Sequence, residues 1–408
     1  MSESSNKRWI VLIASMLCNL CIGSAYAWSV FAKPLVQQFG WAPAQAAWAF
    51  TISLSLVPFA MIVAGRIQDK QGPKAVIFVG GLIFGLGIFL AGYTNSLTTL
   101  YLTYGILGGI GIGAIYGCTV PNTVKWFPDK RGLAGGLIAA GFGSGAVVFA
   151  PISVKIIANS GVLAAFRVEG LIYAVVVCLA SLFIVAPKAG WKPEGWEPPA
   201  QTAGAPVTDS LAPGEMIRIG KFYVLWGMYV IGCIAGLLII GHASPIGQEK
   251  IGLTPEVAAY AISFLGIANT VGRLFWGSVS DKFGRYNALI LMYLLSAAML
   301  MVLNSATGFG MFVVAICGIA LCFGGYLGIF PSVTADNFGV KFLGANYGVM
   351  FIAYGLAAFV GPRLGASIRA TSGNYDMSFI VAAGLMVCGA VLTYYIGNKV
   401  KKQKAMAS

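Results

Sequence analysis

The most demanding chemistry in this 408-residue chain belongs to Arg273. It stands in Asn269-Thr270-Val271-Gly272-Arg273-Leu274-Phe275-Trp276, inside a run from Val257 to Val279 with no other charge. At bilayer depth an arginine costs about 2.5–3.5 kcal/mol even on the most lenient insertion scale, so it must be compensated. No acidic residue is expected at that depth. Asp69, Asp129, Asp281 and Asp336 fall at one set of segment ends, and Glu169, Glu249, Glu256 and Asp376 at the other. A guanidinium without a protein anion can hold a carboxylate ligand through a bidentate fork. Solvation by a water-filled cavity or by backbone carbonyls is the alternative. Asn269, four residues earlier, shares Arg273's helical face and could orient the guanidinium or meet a substrate hydroxyl.

Other chemistry is sparse. His242 is the only histidine. With no carboxylate expected at depth, its ordinary pKa suits proton exchange near neutrality, although a polar residue wetted at the interface would look the same. Asp69-Lys70 and Asp281-Lys282 sit in matching Gly-x-x-x-Asp-Lys-x-Gly loops. They read as gating hardware, and simple loop capping is the other account. The eight cysteines all fall in apolar runs. Cys18 and Cys21 are spaced like a ligand pair but lack polar neighbours, so they read as packing groups, with no metal expected. A nucleotide-binding Gly-Lys-Ser/Thr loop is absent. No nucleophile, base and orienting group cluster at depth, so neither cofactor nor enzymatic activity is expected.

The elements that must position these residues are membrane helices. Hydrophobic residues make up 58% and charged ones 10%, against roughly 25% charged in soluble chains. Twelve apolar stretches of about 20 residues centre near Asn19, Leu56, Leu82, Ile110, Gly145, Val177, Gly232, Leu265, Leu294, Gly318, Tyr354 and Gly384. Backbone groups in lipid must be satisfied within the segment, so an all-α membrane bundle is expected; the short alternating segments of a barrel are missing. Lys7, Arg8 and Ala25-Tyr26-Ala27 imitate a secretory signal, yet the apolar run continues from Trp9 to Phe31, too long for one. One set of loops and tails carries Lys7, Arg8, Lys70, Lys125, Lys130, Arg131, Lys282, Arg285 and most other basic residues. The opposite set holds Lys33, Lys155, Arg167, Lys250, Arg363 and Arg369. The positive-inside rule then implies an inner cell membrane protein with both termini cytoplasmic. The formal charge of +13 is orientation signal, and no nucleic acid or nucleotide partner is expected.

The chain repeats itself at a lag of 212 residues. Gly65-Arg66-Ile67-Gln68-Asp69-Lys70-Gln71-Gly72 recurs as Gly277-Ser278-Val279-Ser280-Asp281-Lys282-Phe283-Gly284, and Phe142-Gly143 as Tyr354-Gly355. Two parallel six-helix halves follow, residues 1–187 and 221–408, joined by a cytoplasmic linker over 188–220 rich in Pro, Gly, Ala and Ser. Trp191 and Trp196 read as headgroup anchors in that linker. Gly105, Gly109 and Gly113 place three bare backbones on one face of the fourth span, as close helix approach requires. At the repeat position of Arg273 stands Met61, so symmetry does not demand the arginine.

The two Gly-x-x-x-Asp-Lys-x-Gly loops resemble the signature of the major facilitator superfamily. More narrowly, Trp126-Phe127-Pro128-Asp129-Lys130-Arg131-Gly132-Leu133-Ala134 and Gly214-Glu215-Met216 leading to Leu225-Trp226 resemble the oxalate/formate antiporter family, relatives of the monocarboxylate transporters. The likeness spans nearly the whole chain. It implies the twelve-helix, two-bundle facilitator fold and places Tyr26, Tyr116, Phe142, Phe323 and Tyr326 around the cation. Monocarboxylate transporters carry an aspartate where Asn269 stands and a lysine near Val30, and both are missing here. Dicarboxylate binders of the antiporter family use a second cation, a lysine in the eleventh span, where this chain has Tyr354. A second desolvated carboxylate would meet no partner, so one cation suits one carboxylate. The expected cargo is a small monocarboxylate such as lactate or pyruvate. Inward movement of an anion costs about 2.3 kcal/mol per 100 mV, which proton symport by alternating access or exchange of the oxalate/formate type would relieve. A receptor or channel stays the rival class, though the short linker and tail leave little room for a sensor's output domain.

Overall fold

The structure, a computed structural model, describes residues 3–188, 190–197 and 210–407. Its long helices are α1 (Asn6–Phe39, broken by a 3-10 turn at Ser24–Ala27), α2 (Pro43–Gln71), α3 (Pro73–Ala91), α4 (Leu97–Trp126), α5 (Arg131–Ser160), α6 (Val162–Ser181), α7 (Gly220–Ile251), α8 (Pro255–Phe283), α9 (Arg285–Asn304), α10 (Phe309–Phe338), α11 (Leu343–Ser372) and α12 (Asp376–Ala407). Eleven of them are long and apolar enough to cross a membrane. The other is α8, which carries Asn269, Thr270 and Arg273; its 29 residues, rising about 1.5 Å each, still exceed a core of about 30 Å. No strand occurs among the described residues. This is a multi-pass, all-α membrane protein.

Helices α1–α6 pack on one another, as do α7–α12, and the two bundles meet where α2 faces α11 and α5 faces α8 and α10. Glycine decides how closely they meet. A Cβ on Gly65 would sit 2.3 Å from the Gly344 carbonyl carbon, and one on Gly277 2.3 Å from the Gly132 carbonyl oxygen. These crossings are related by the same 212-residue lag: 65 and 277, 132 and 344. Within the first bundle, Gly109 and Gly113 of α4 lie against the Ser53 and Val57 backbone of α2, the close approach expected of that glycine face.

One end of the interface is sealed by charge. Asp69 at the foot of α2 accepts hydrogen bonds from the Gly344 and Ala345 amides at the start of α11, at 3.3 and 3.1 Å. Asp281 at the foot of α8 accepts from the Gly132 and Leu133 amides at the start of α5, at 2.9 and 2.8 Å. Each carboxylate thus faces the positive end of a helix in the opposite bundle, where four amides lack intrahelical partners. The donors again differ by 212. Arg131 pairs with Asp336 across the same end at 2.5 Å, and Arg285 with Asp281 at 2.5 Å. Lys125 holds Asp69 at 2.8 Å. Lys70 and Lys282, the basic members of the two loop motifs, are exposed. The cation on Asp69 is Lys125 of α4, 56 residues along the chain, whereas the cation on Asp281 is Arg285, four residues on at the start of α9 and just past the loop motif.

The Trp126-to-Ala134 run also finds its physical role at this end. The Trp126 indole donates to the Val185 carbonyl at 2.7 Å. Asp129 pairs with Arg8 at 3.2 Å, and the Arg8 guanidinium lies over the Phe127 ring.

The linker is less featureless than its composition implied. Residues 189 and 198–209 lie outside the described residues, as does the Glu256 side chain. Trp191, expected at the headgroups, packs edge-on against Trp126 with ring centroids 4.8 Å apart. The Leu211 amide donates to the Phe338 carbonyl at 3.0 Å, and Asn346 Nδ2 donates to the Leu211 carbonyl at 2.8 Å. A one-turn helix at Pro213–Met216 then buries Met216.

Close approach at Gly65 gives a direct test. Gly65→Ala would overpack the α2–α11 crossing, an error of about 1–3 kcal/mol in a close-packed site. Spin labels at the exposed positions 70 and 341, in a cysteine-depleted background, should report a longer distance in the variant than in the parent. An unchanged distance would show that this crossing does not control closure.

Candidate functional site

Between the sealed end and the opposite end, at the bundle interface, lies a small cavity lined by Tyr26, Leu54, Val57, Tyr116, Phe142, Arg273, Leu327, Phe351 and Tyr354. Its volume is about 20 Å³, on a scale where one water needs about 10–15 Å³. Only a molecule of very few heavy atoms could enter without the walls moving.

Arg273 is 1% exposed. Its Nη1 donates a hydrogen bond to the Ala139 carbonyl of α5, so a side chain from one bundle grips the backbone of the other. It can reach that carbonyl because α5 is stripped of side chains along this face. A Cβ on Gly136 would strike the Arg273 carbonyl, and one on Gly143 would lie 3.3 Å from the guanidinium carbon. Nε and Nη2 have no partner among the described residues. Those two nitrogens form the side edge of the guanidinium, with hydrogens pointing the same way, and this edge matches the two oxygens of a carboxylate. No acidic side chain pairs with Arg273 among the described residues.

Aromatic groups shape the rest. Phe351 stacks on Tyr354 with centroids 5.0 Å apart, and Phe142 meets the rings of Tyr26 and Tyr116 edge-on at 5.0 and 5.4 Å. The hydroxyls of Tyr26 and Tyr354 approach to 3.4 Å, bringing α1 and α11 together across the interface. Tyr116 and Tyr354 both lie within electrostatic reach of Arg273. The arrangement offers one cationic edge, phenolic groups and apolar walls.

Five of the expected residues line this cavity: Arg273, Tyr26, Tyr116, Phe142 and Tyr354. Three others point elsewhere. Asn269 faces α10, where a Cβ on Gly324 would lie 2.9 Å from its Oδ1, itself buried without a partner. The Phe323 ring fills the groove left by Gly236 of α7, and Tyr326 packs against Gly232 and the Tyr293 ring. Both belong to the packing of α10 within its own bundle. The apolar walls Leu54, Val57, Leu327 and Phe351 had no sequence signal to separate them from ordinary core.

His242 is not brought to Arg273. It lies on α7 in a separate pocket with Pro245, Arg369 and Tyr375, its Nδ1 3.1 Å from the Leu238 carbonyl one turn away. The expectation of no carboxylate at membrane depth is corrected by Glu169. It lies two turns into α6 and is 2% exposed, enclosed by helices of the first bundle. A position near the start of a span looked like a segment end in the sequence, but the neighbouring helices extend past it.

Several known proteins resemble this chain in sequence and fold. The family model described as Major Facilitator Superfamily matches residues 12–245 and 240–406. The oxalate:formate antiporter of Oxalobacter formigenes is 33% identical over 405 residues, covering 97% of this chain and 94% of its own. Monocarboxylate transporter 13 of Rattus norvegicus is 25% identical over 389 residues, covering 94% and 87%. Among solved structures, the major facilitator transporter FucP in its outward conformation superposes with a TM-score of 0.68 at 17% identity, covering 95% of this chain and 99% of that one.

The burial of Arg273 predicts an unusual stability result. Removing a buried, half-partnered charge relieves desolvation, so Arg273→Met should melt no lower than the parent, in contrast to the loss expected for most core changes. Thermal unfolding in detergent checks this. A drop of many degrees would show that the guanidinium holds the bundles together and is not kept for a ligand.

Proposed function

The chain belongs to the major facilitator superfamily, and we propose that it carries small monocarboxylates of the lactate or pyruvate type across the cytoplasmic membrane by alternating access. The observation that supports this reading is the free Nε–Nη2 edge of Arg273, buried at the interface of two bundles with one cation and no second one in its cavity. A dicarboxylate would leave one charge facing Tyr354 and apolar walls. The anion would bind between the halves, and rocking about it would break the Asp69 and Asp281 contacts at one end while closing the other. With the basic loops inside, the sealed end is the cytoplasmic one.

Charge balance favours proton symport. One anion moving with one proton is electroneutral, whereas the anion alone opposes the membrane potential. Exchange of two anions also balances charge. That second reading is favoured by the 33% identity to the oxalate:formate antiporter.

Uptake into proteoliposomes of lactate, pyruvate, formate and oxalate, with and without a pH gradient, separates the two. Symport predicts monocarboxylate accumulation driven by external acid. Exchange predicts uptake only into vesicles preloaded with a carboxylate. Two variants test the pocket. Arg273→Lys should weaken ligand-induced thermal stabilisation at least about tenfold in affinity, because a point charge cannot replace the fork. Tyr354→Lys adds a second cation, and should reduce stabilisation by lactate while increasing that by oxalate. If the parent already binds oxalate as tightly as lactate, the one-cation argument fails and exchange takes its place.

A further inference from the structure

A second polar cavity lies wholly within the first bundle, and the mechanism above does not use it. Its walls include Ser24, Ser53, Tyr104, Phe166, Glu169 and Tyr173. The Glu169 carboxyl is buried there with hydroxyl neighbours only. Tyr173 donates to Oε2 at 2.6 Å. Ser153 Oγ lies 2.5 Å from Oε1 and 2.8 Å from the Phe149 carbonyl oxygen.

Counting hydrogens at Ser153 shows what this carboxyl can hold. The hydroxyl has one proton to donate. If it goes to the Phe149 carbonyl, the short contact to Glu169 Oε1 needs a proton from the carboxyl side. If it goes to Glu169, the Phe149 contact is left without one. A protonated Glu169 fills both contacts, donating to Ser153 while Ser153 donates to Phe149. Burial adds to this, because an isolated buried carboxylate is costly and protonation removes the charge. The polar groups facing it are Ser24 from α1, Ser53 from α2, Tyr104 from α4, Ser153 from α5 and Tyr173 from α6, with Cys21 of α1 behind Tyr173. None of these is a cation. Ser53 Oγ, in the wall of the same cavity, is buried without a partner.

The two cavities share a short stretch of backbone. Ser24 and Ala25 line the Glu169 cavity, and the next residue, Tyr26, lines the Arg273 cavity. All three belong to the 3-10 turn that interrupts α1. This turn is held against α5, since a Cβ on Gly23 would overlap the Phe142 carbonyl and one on Gly145 would overlap the Gly23 backbone. A change of charge or hydrogen bonding at Glu169 therefore presses on the same backbone that carries Tyr26.

We propose that Glu169 is the proton-binding site of this transporter, linked to the anion at Arg273 through the Ser24–Ala27 turn. The inference rests on the carboxylate reading of Arg273 for its coupling, and on Glu169's own surroundings for proton binding. An anion at Arg273 replaces a buried net positive charge with a neutral pair, so binding the anion and protonating Glu169 support each other. By linkage, each must favour the other by the same factor.

Infrared difference spectra of the full-length protein, titrated with pH, give the test. The parent should show the carbonyl stretch of a protonated carboxylic acid that titrates, and Glu169→Gln should lack it. Tyr173→Phe, which keeps the carboxyl, should displace its pH midpoint; this variant serves if Glu169→Gln does not fold. At the pH midpoint of that band, adding lactate, or oxalate if only that binds, should make the parent take up a proton from weak buffer. Glu169→Gln should bind the same carboxylate without proton uptake, and should retain counterflow at equal pH while losing acid-driven accumulation. The proposal is overturned if the band and the proton uptake persist in Glu169→Gln, or if His242→Ala abolishes them instead. Binding in the parent at that midpoint without proton uptake would also overturn it and leave the carboxylate reading standing. If none of lactate, pyruvate, formate or oxalate binds, the carboxylate reading fails, and the band alone decides whether Glu169 holds a proton.

Discussion

A guanidinium buried between two helical bundles, with two of its three nitrogens unpartnered among the described residues, sets the terms for the rest of this protein. Burying a cation is expensive, and leaving hydrogen-bonding groups unmade adds to that. The surrounding sequence keeps the expense local. Glycines at 136 and 143 clear a path for Arg273 to the α5 backbone, and one carbonyl takes one donor. The remaining edge points to a cavity walled by aromatic rings. A fold selected for stability alone would replace such a residue with an apolar one of similar volume. Met61, its repeat counterpart, is that replacement, fully buried in the other bundle.

Alternating access needs an interface that closes firmly and opens without unfolding either half. The sealed end meets both needs by using helix termini. Asp69 and Asp281 bond amides that would otherwise lack partners, and these amides can turn to water when the bundles separate. No apolar core has to be exposed in the process. The glycine crossings at 65 and 277 bring backbone against backbone, so separation removes contact but leaves no interlocked side chains to pull apart. Two equivalent latches, related by the 212-residue repeat, then act together at one end of the interface.

Much of this was legible in the sequence because it depends on local rules. Span lengths gave the helices, the repeat gave the halves, and the single charge in an apolar run exposed Arg273. Residues whose role depends on helix rotation were not legible. Phe323 and Tyr326 lie on α10 near Leu327, yet only Leu327 faces the cavity, and no spacing rule distinguishes them. The amides that Asp69 and Asp281 bond lie in the opposite bundle, and Lys125 stands 56 residues from Asp69, all beyond the reach of a loop motif. Glu169 was hidden by a different cause. Its distance from the end of its own helix says little about depth when α1, α2, α4 and α5 rise around it, and its hydroxyl partners lie on two helices.

The central claim is that a carboxylate sits on the side edge of Arg273. An experimental structure of the protein with its transported carboxylate would test this most directly. The account predicts two carboxylate oxygens at hydrogen-bond distance from Nε and Nη2, with Tyr26 or Tyr354 within reach of the same ligand. A carboxylate bound away from Arg273, or an Arg273 edge closed by protein groups in the loaded state, would contradict it.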